Sequence, residues 1–191
     1  MNIQFATLPQ QPMNNTIRKI QMLCIGFMGL WLVGCASKPM PVKNINLEKF
    51  MGSWYVISHI PVWGEKNAYN AIENYSLNDK GQVDVKYTFN DKNLDGPDKK
   101  YTMTGFVNEK ESGHWKVQPM WPFKFDYRVV YIDDNYKLTV IARKSRDYAW
   151  IMSRTPTLSD VEYSKATAAL SELGYDLGAL RLVPQAQAQK R

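Results

Sequence analysis

Thiols are almost absent from this chain: its 191 residues hold two cysteines, Cys24 and Cys35, and none follows position 35. The part beyond that point can form no intrachain disulfide and offers no thiol nucleophile. Histidine is equally scarce, with only His59 and His114, and without a cysteine partner they suggest no metal site. Ser58 and His59 are neighbours on what reads as a strand, so they point to opposite faces and form no nucleophile–base pair; His59 is expected to face outward. There is no glycine-rich phosphate loop, and Asp133-Asp134-Asn135 lacks the other ligands of a calcium loop. The net charge of +6 is modest and unclustered. With no Lys/Arg stripe carrying interleaved aromatics, nucleic acid is a poor partner. No cofactor is expected.

Acidic residues are also missing from the start of the chain, where all 18 lie after position 35. Arg18 and Lys19 precede an uncharged apolar run, Ile20 to Gly34, of the length of a secretory h-region and too short for a stable membrane span. The run ends in Leu32-Val33-Gly34-Cys35, followed by Ala36-Ser37, which is similar to the lipobox of bacterial lipoproteins. That likeness implies cleavage before Cys35 and its acylation; two or more acyl chains hold a protein firmly on a membrane where one does not. Ala36 after the cysteine implies outer-membrane sorting by the same likeness, with the protein facing the periplasm. Loss of the leader takes the charge from +6 to about +4. Met13 gives a more conventional leader start than Met1. The expected organisation is a signal peptide over residues 1–34, a lipidated N-terminus and tether over 35–45, one folded domain over 46–184, and a disordered tail over 185–191.

Within the domain, Gly52-Ser53-Trp54 opens a β-rich stretch that closes at Arg154. A glycine admits the chain to its first strand at little steric cost, and a tryptophan can plug the floor of a small barrel. A guanidinium returning from the last strand can lie on that indole. Eight short runs alternate between turn signals: Trp54 to Ile60, Ala71 to Leu77, Val83 to Phe89, Tyr101 to Val107, Trp115 to Gln118, Phe125 to Ile132, Leu138 to Ala142 and Tyr148 to Ser153. Asn78 to Gly81 is a hairpin turn. This predicts an all-β, eight-stranded antiparallel up-and-down β-barrel, with a β-sandwich as the alternative. Ser159 to Glu162 then reads as a capping box, and Tyr163, Ala166, Leu170 and Leu173 recur at helical spacing up to Gly174. One C-terminal helix should pack outside the barrel, and Leu177 to Val183 should add a strand or extended arm.

The blocks Gly52-Ser53-Trp54-Tyr55, Asn74 to Leu77, Tyr127 to Asp133 and Asp147 to Pro156, in this order behind a lipobox, resemble the lipocalin family over residues 46–184. The likeness is to the bacterial lipocalins and their apolipoprotein D-like relatives. It implies binding or transport of lipophilic ligands, namely fatty acids or lysophospholipids, with the membrane and a second copy of the chain, as a homodimer, as the partners in view. Gly52, Trp54 and Arg154 are expected to be structural, closing the base.

If Trp54 faces inward, alternation brings Val56, Ser58 and Ile60 with it. The family pattern then places Glu73 and Tyr75, Val85, Tyr87 and Phe89 inside, followed by Met103, Gly105 and Val107. Trp115 and Val117, Tyr127, Val129 and Tyr131, Thr139 and Ile141, and Tyr148, Trp150 and Met152 complete the expected ligand-binding wall. A slip of one residue would turn any of these strands inside out. Glu73 stands where the family carries a small or neutral residue; a lone buried carboxylate is costly, and it counts against a fatty-acid carboxylate deep in the barrel. Trp63 and the run Met120 to Phe123 are expected at the barrel mouth. Two other readings remain. One is a structural envelope lipoprotein whose barrel is packed solid; the other is a lipid-modifying enzyme, for which only Glu73 and the tyrosines qualify as reactive groups.

Overall fold

The computed structural model describes residues 43–188, Trp63 excepted. The leader, Cys35, Trp63 and residues 189–191 lie outside the described residues. One helical turn, α1 (Leu47–Phe50), precedes eight strands: β1 (Gly52–Ile60), β2 (Ala68–Leu77), β3 (Val83–Asp91), β4 (Asp98–Val107), β5 (His114–Met120), β6 (Phe123–Ile132), β7 (Leu138–Ala142) and β8 (Ala149–Ser153). Each pairs antiparallel with the next, and β1 pairs with both β2 and β8. That double pairing closes the sheet into a barrel with no free edge among these strands and excludes the sandwich. Hairpin connection is visible in the chemistry of the turn at Asn78, whose Oδ1 accepts from the Lys80 and Gln82 N–H groups while Gly81 adopts φ of 69°.

The base end is sealed by one side chain. The Arg154 guanidinium lies 3.8 Å from the Trp54 ring centroid. It donates to the carbonyls of Ser53 (2.8 Å), Lys49 (2.8 Å), Phe50 (3.0 Å), Met51 (2.7 Å) and Tyr136 (3.3 Å). Gly52 is required beneath it: its φ is +92°, and an added Cβ would stand 3.3 Å from Arg154 Nη1. Beside it the chain entering the barrel crosses Gly113 so closely that a Cβ there would fall 2.1 Å from the Lys43 carbonyl oxygen. The tether therefore ends earlier than expected. Lys43 N–H donates to Val129 O, and Ile45 is buried in the core, so residues 43–45 belong to the barrel.

Helix α2 (Asp160–Glu172) starts at the expected capping box and buries Ala166 and Leu170 against the outer face of β7 and its neighbours. After it, a single turn at Leu177–Ala179 leads to β9 (Arg181–Leu182), which pairs with Ser58 and His59 on β1. The tail is not free over residues 185–188. The Gln185 side chain is buried and donates to the carbonyls of Val56 (2.9 Å) and Ala71 (3.3 Å), satisfying acceptors where the ladder is irregular. Ala186–Ala188 follow as a turn.

The base contact yields a stability prediction. Arg154→Ala should lower the unfolding free energy by about 2–4 kcal/mol, since it removes a cation–π contact and several charge-assisted hydrogen bonds. Gly52→Ala should cost about 1–2 kcal/mol through its positive φ. Urea denaturation of both variants measures this; a loss below about 0.5 kcal/mol for Arg154→Ala would contradict the closure described.

Candidate functional site

Inward alternation follows the expected register along most strands and fails at two bulges. On β1, Val56 opposes Met152 but Ser58 opposes Ile151, so one extra residue is inserted between them. Ser58 therefore turns outward beneath α2, donating to the Arg181 carbonyl and accepting from the Tyr163 hydroxyl. Ile60 also turns outward, into the cluster around the helix. His59, expected outside, faces the lumen instead, opposite Trp150. On β6 the register shifts between Val129 and Tyr131, which opposes Val140; Tyr131 packs on the outside and Ile132 replaces it within. Ser58 and Tyr131 are thus not part of the inner wall.

The remaining inward residues divide into a packed floor and an upper lumen. Phe50, which lies in α1 where no strand alternation marks it, sits at the centre of the floor, 5.2 Å from Trp54, 5.3 Å from Tyr75 and 5.5 Å from Trp115 by ring centroid. Trp115 and Tyr127 stack at 5.0 Å, and the Tyr75 and Tyr127 hydroxyls share a 2.8 Å hydrogen bond. Val56, Val129 and Met152 complete this layer, with Thr139 tied to the Tyr131 carbonyl. Tyr75, Trp115 and Tyr127 point inward, but they pack on one another. Higher up stand Val85, Tyr87, Phe89, Val117 and Trp150, with Met103 and Tyr148 half-buried, while Val107 pairs with Trp115 at the floor. Tyr101 extends the wall toward the rim, its ring stacked 6.4 Å from Tyr87 and 6.0 Å from Phe89. One more step of alternation back from Met103 would have found it.

The upper lumen is more polar than the sequence suggests. Glu73 faces inward from β2, opposite both Trp54 and Tyr87, and is 1% exposed. Glu65, from the loop between β1 and β2, dips into the barrel so that its Oε2 lies 3.9 Å from His59 Nδ1. Nothing in the sequence marks it, because a loop carries no periodicity. Among the described residues, six buried side-chain polar atoms have no hydrogen-bond partner, all within this region: His59 Nδ1, Glu65 Oε2, both Glu73 oxygens, Tyr87 OH and Trp150 Nε1.

Burial sets the protonation of these groups. It lowers His59 to about 4, helped by the Arg181 charge, leaving the imidazole neutral. It raises Glu65 to about 7, although the facing Trp150 indole and the Arg143 charge favour the ionised form. Burial, then the Glu65 charge, push Glu73 well above the carboxylate range, outweighing the nearby Tyr75 hydroxyl. At the rim, the β5–β6 hairpin leaves Met120, Trp121 and Phe123 exposed, Trp121 to 85%. His114 lies away from the lumen, its Nε2 2.9 Å from Asp126.

A family model described as a lipocalin-like domain matches residues 45–185. The chain is similar to temperature-induced lipocalin-1 of Arabidopsis thaliana, with 30% identity over 75% of this chain and 81% of that protein. It is also similar to the outer membrane lipoprotein Blc of Escherichia coli strain K12, with 27% identity over 88% and 98%. Among solved structures, lobster apocrustacyanin A1 shares the fold at a TM-score of 0.60 and 19% identity, over 75% of this chain and 81% of that one.

The buried carboxyls give the stability a definite pH dependence. A carboxyl whose pKa rises on folding binds more protons in the folded state, so its contribution is present at low pH and is lost as pH rises. For Glu65 the loss runs from 4.5 to about 7. For His59 the sense is reversed: stability is lost as pH falls from 6.5 toward about 4. Glu65→Gln should therefore be more stable than the parent by about 2–3 kcal/mol near pH 8, and equal to it near pH 4.5. Glu73→Gln should show the same sign. Urea titrations across this range measure it; a variant destabilised at pH 8 would show the carboxylate to be ionised and partnered.

Proposed function

We propose that this chain, which belongs to the lipocalin family, binds and carries a lipid-like ligand in the upper lumen of its barrel, held at the outer membrane through acylated Cys35. The observation that carries this reading is the inner wall above the aromatic floor. Val85, Phe89 and Met103 line a barrel closed at its base, and Met103 and Tyr101 keep accessible surface. Such a wall stabilises a hydrocarbon chain by about 0.8 kcal/mol per buried methylene. The ligand classes in view are fatty acids and lysophospholipids, of which the buried carboxyls disfavour the first if its headgroup points inward. The envelope location is supported by the lipobox and by the name of the Escherichia coli relative. No chemistry on the ligand is invoked.

The stacked Trp115–Tyr127 pair and the rings around Phe50 favour a second reading, a barrel packed throughout and serving a structural role. Pocket occupancy separates the two. Protein purified from its own cells should carry an acyl lipid at one per chain in native mass spectrometry, and Met103→Trp should expel it without loss of fold. Empty protein that also takes up neither fatty acids nor lysophospholipids would overturn the carrier and leave the packed barrel.

A further inference from the structure

The upper lumen carries two carboxyls, and among the described residues no free cation answers them from within. Glu73 stands across the ladder from Tyr87, whose ring is 5.0 Å from that of Trp150, and Glu65 is 3.9 Å from His59, which stands across the ladder from Trp150. Both carboxyls thus border the same rings, and the charge of Glu65 raises the pKa of Glu73. His59 is neutral at physiological pH, and the cation that reaches Glu65, Arg143, is already engaged: its Nε is 3.1 Å from Asp147 and its guanidinium lies 5.0 Å over the Tyr148 ring. Around the carboxyls stand aromatic faces. Tyr87 and Trp150 are 5.0 Å apart by ring centroid, Tyr148 and Trp150 5.3 Å, and Tyr87 and Phe89 5.1 Å. Glu73, Tyr87 and Trp150 are each at least 98% buried and end in polar atoms without partners.

Carboxyl oxygens and aromatic faces attract the same thing. An ionised carboxylate and the ring faces stabilise a desolvated cation, whereas a phosphate or a carboxylate would find no free buried cation among the described residues. We infer that the upper lumen receives the ammonium end of a lipophilic amine, seated between Glu65 and Glu73 and against the rings of Tyr87 and Trp150. This rests on the carrier reading above and names its ligand class. Binding is non-covalent: the ammonium keeps its proton, and a carboxyl that was neutral releases its own to solvent.

The groups facing this position are His59 from β1, Glu65 from the loop, Glu73 and Tyr75 from β2, Tyr87 from β3 and Tyr101 from β4. Tyr127 on β6 and Arg143 and Tyr148 between β7 and β8 complete the ring, while Arg181 acts on His59 from β9. Burial pushes the hydroxyls of Tyr75, Tyr87, Tyr127 and Tyr148 upward, so they stay protonated near neutrality. Amine affinity should therefore follow the carboxyls and rise with pH through about 7, where Glu65 ionises.

Three probes of equal chain length test the inference: decylammonium, decanol and decanoate, titrated into purified, delipidated protein with intrinsic tryptophan fluorescence as readout. Decylammonium should bind at least about tenfold more tightly than decanol, and decanoate more weakly than either. Its affinity should increase between pH 6 and pH 8, and Glu65→Gln should flatten that rise. Glu65→Gln and Glu73→Gln should each abolish the preference for decylammonium over decanol, with near-UV circular dichroism certifying their fold. Equal affinities, or a preference for decanoate, would overturn the amine site and leave the carrier standing. Failure of all three probes to bind would overturn both. The comparison on the parent protein decides the matter even if a variant does not fold.

Discussion

Everything above the floor of this barrel depends on the seat of Arg154 on Trp54. One guanidinium holds five backbone carbonyls from three chain segments: the α1 turn, the start of β1 and the β7 entry at Tyr136. A planar cation with a fork of donors can do this where a lysine cannot. With the base fixed, Phe50 is set among Trp54, Tyr75 and Trp115, and the floor beneath the lumen becomes rigid. The strands are then tied at one end, and the loops at the other end are left to vary.

The two ends accordingly follow different physics. At the base, rings pack on rings, and the polar atoms of Trp54, Tyr75, Trp115 and Tyr127 find partners within the protein. In the upper lumen, carboxyl, hydroxyl and indole groups lie out of water without them. Burying a polar group without a partner is unfavourable, and a fold optimised for stability alone would replace it with an apolar side chain. Concentration of these groups in one half of one lumen fits a surface shaped for a ligand rather than for the core.

How much of this was legible in the sequence depended on the kind of signal. Strand and helix order follow from alternation, turn residues and the Ser159–Glu162 box, and the base closure from Gly52, Trp54 and Arg154. Inward positions on β3, β5 and β8 follow from the family pattern, which sets the phase of the period-two alternation. The misplacement of Ser58, His59, Ile60 and Tyr131 has one cause: a bulge adds a residue without disturbing the apolar pattern, because the outward side chains of β1 and β6 there are themselves buried in the cluster around α2. Alternation is informative only where one face meets water. Glu65 and Gln185 were out of reach for a different reason. Their burial is decided by tertiary contacts of loop and tail segments, on which local pattern is silent.

The central claim is that the ligand occupies the upper lumen and not the floor or the rim. Methionine methyl groups report on all three, since Met103 lines the lumen, Met51 adjoins the floor and Met120 stands exposed on the β5–β6 hairpin. Methyl NMR of methionine-labelled protein, recorded with and without saturating decanol, reads them in one experiment. A large shift at Met103 with Met51 and Met120 nearly unchanged is the predicted result. A shift confined to Met120, or no shift at Met103, would contradict the account.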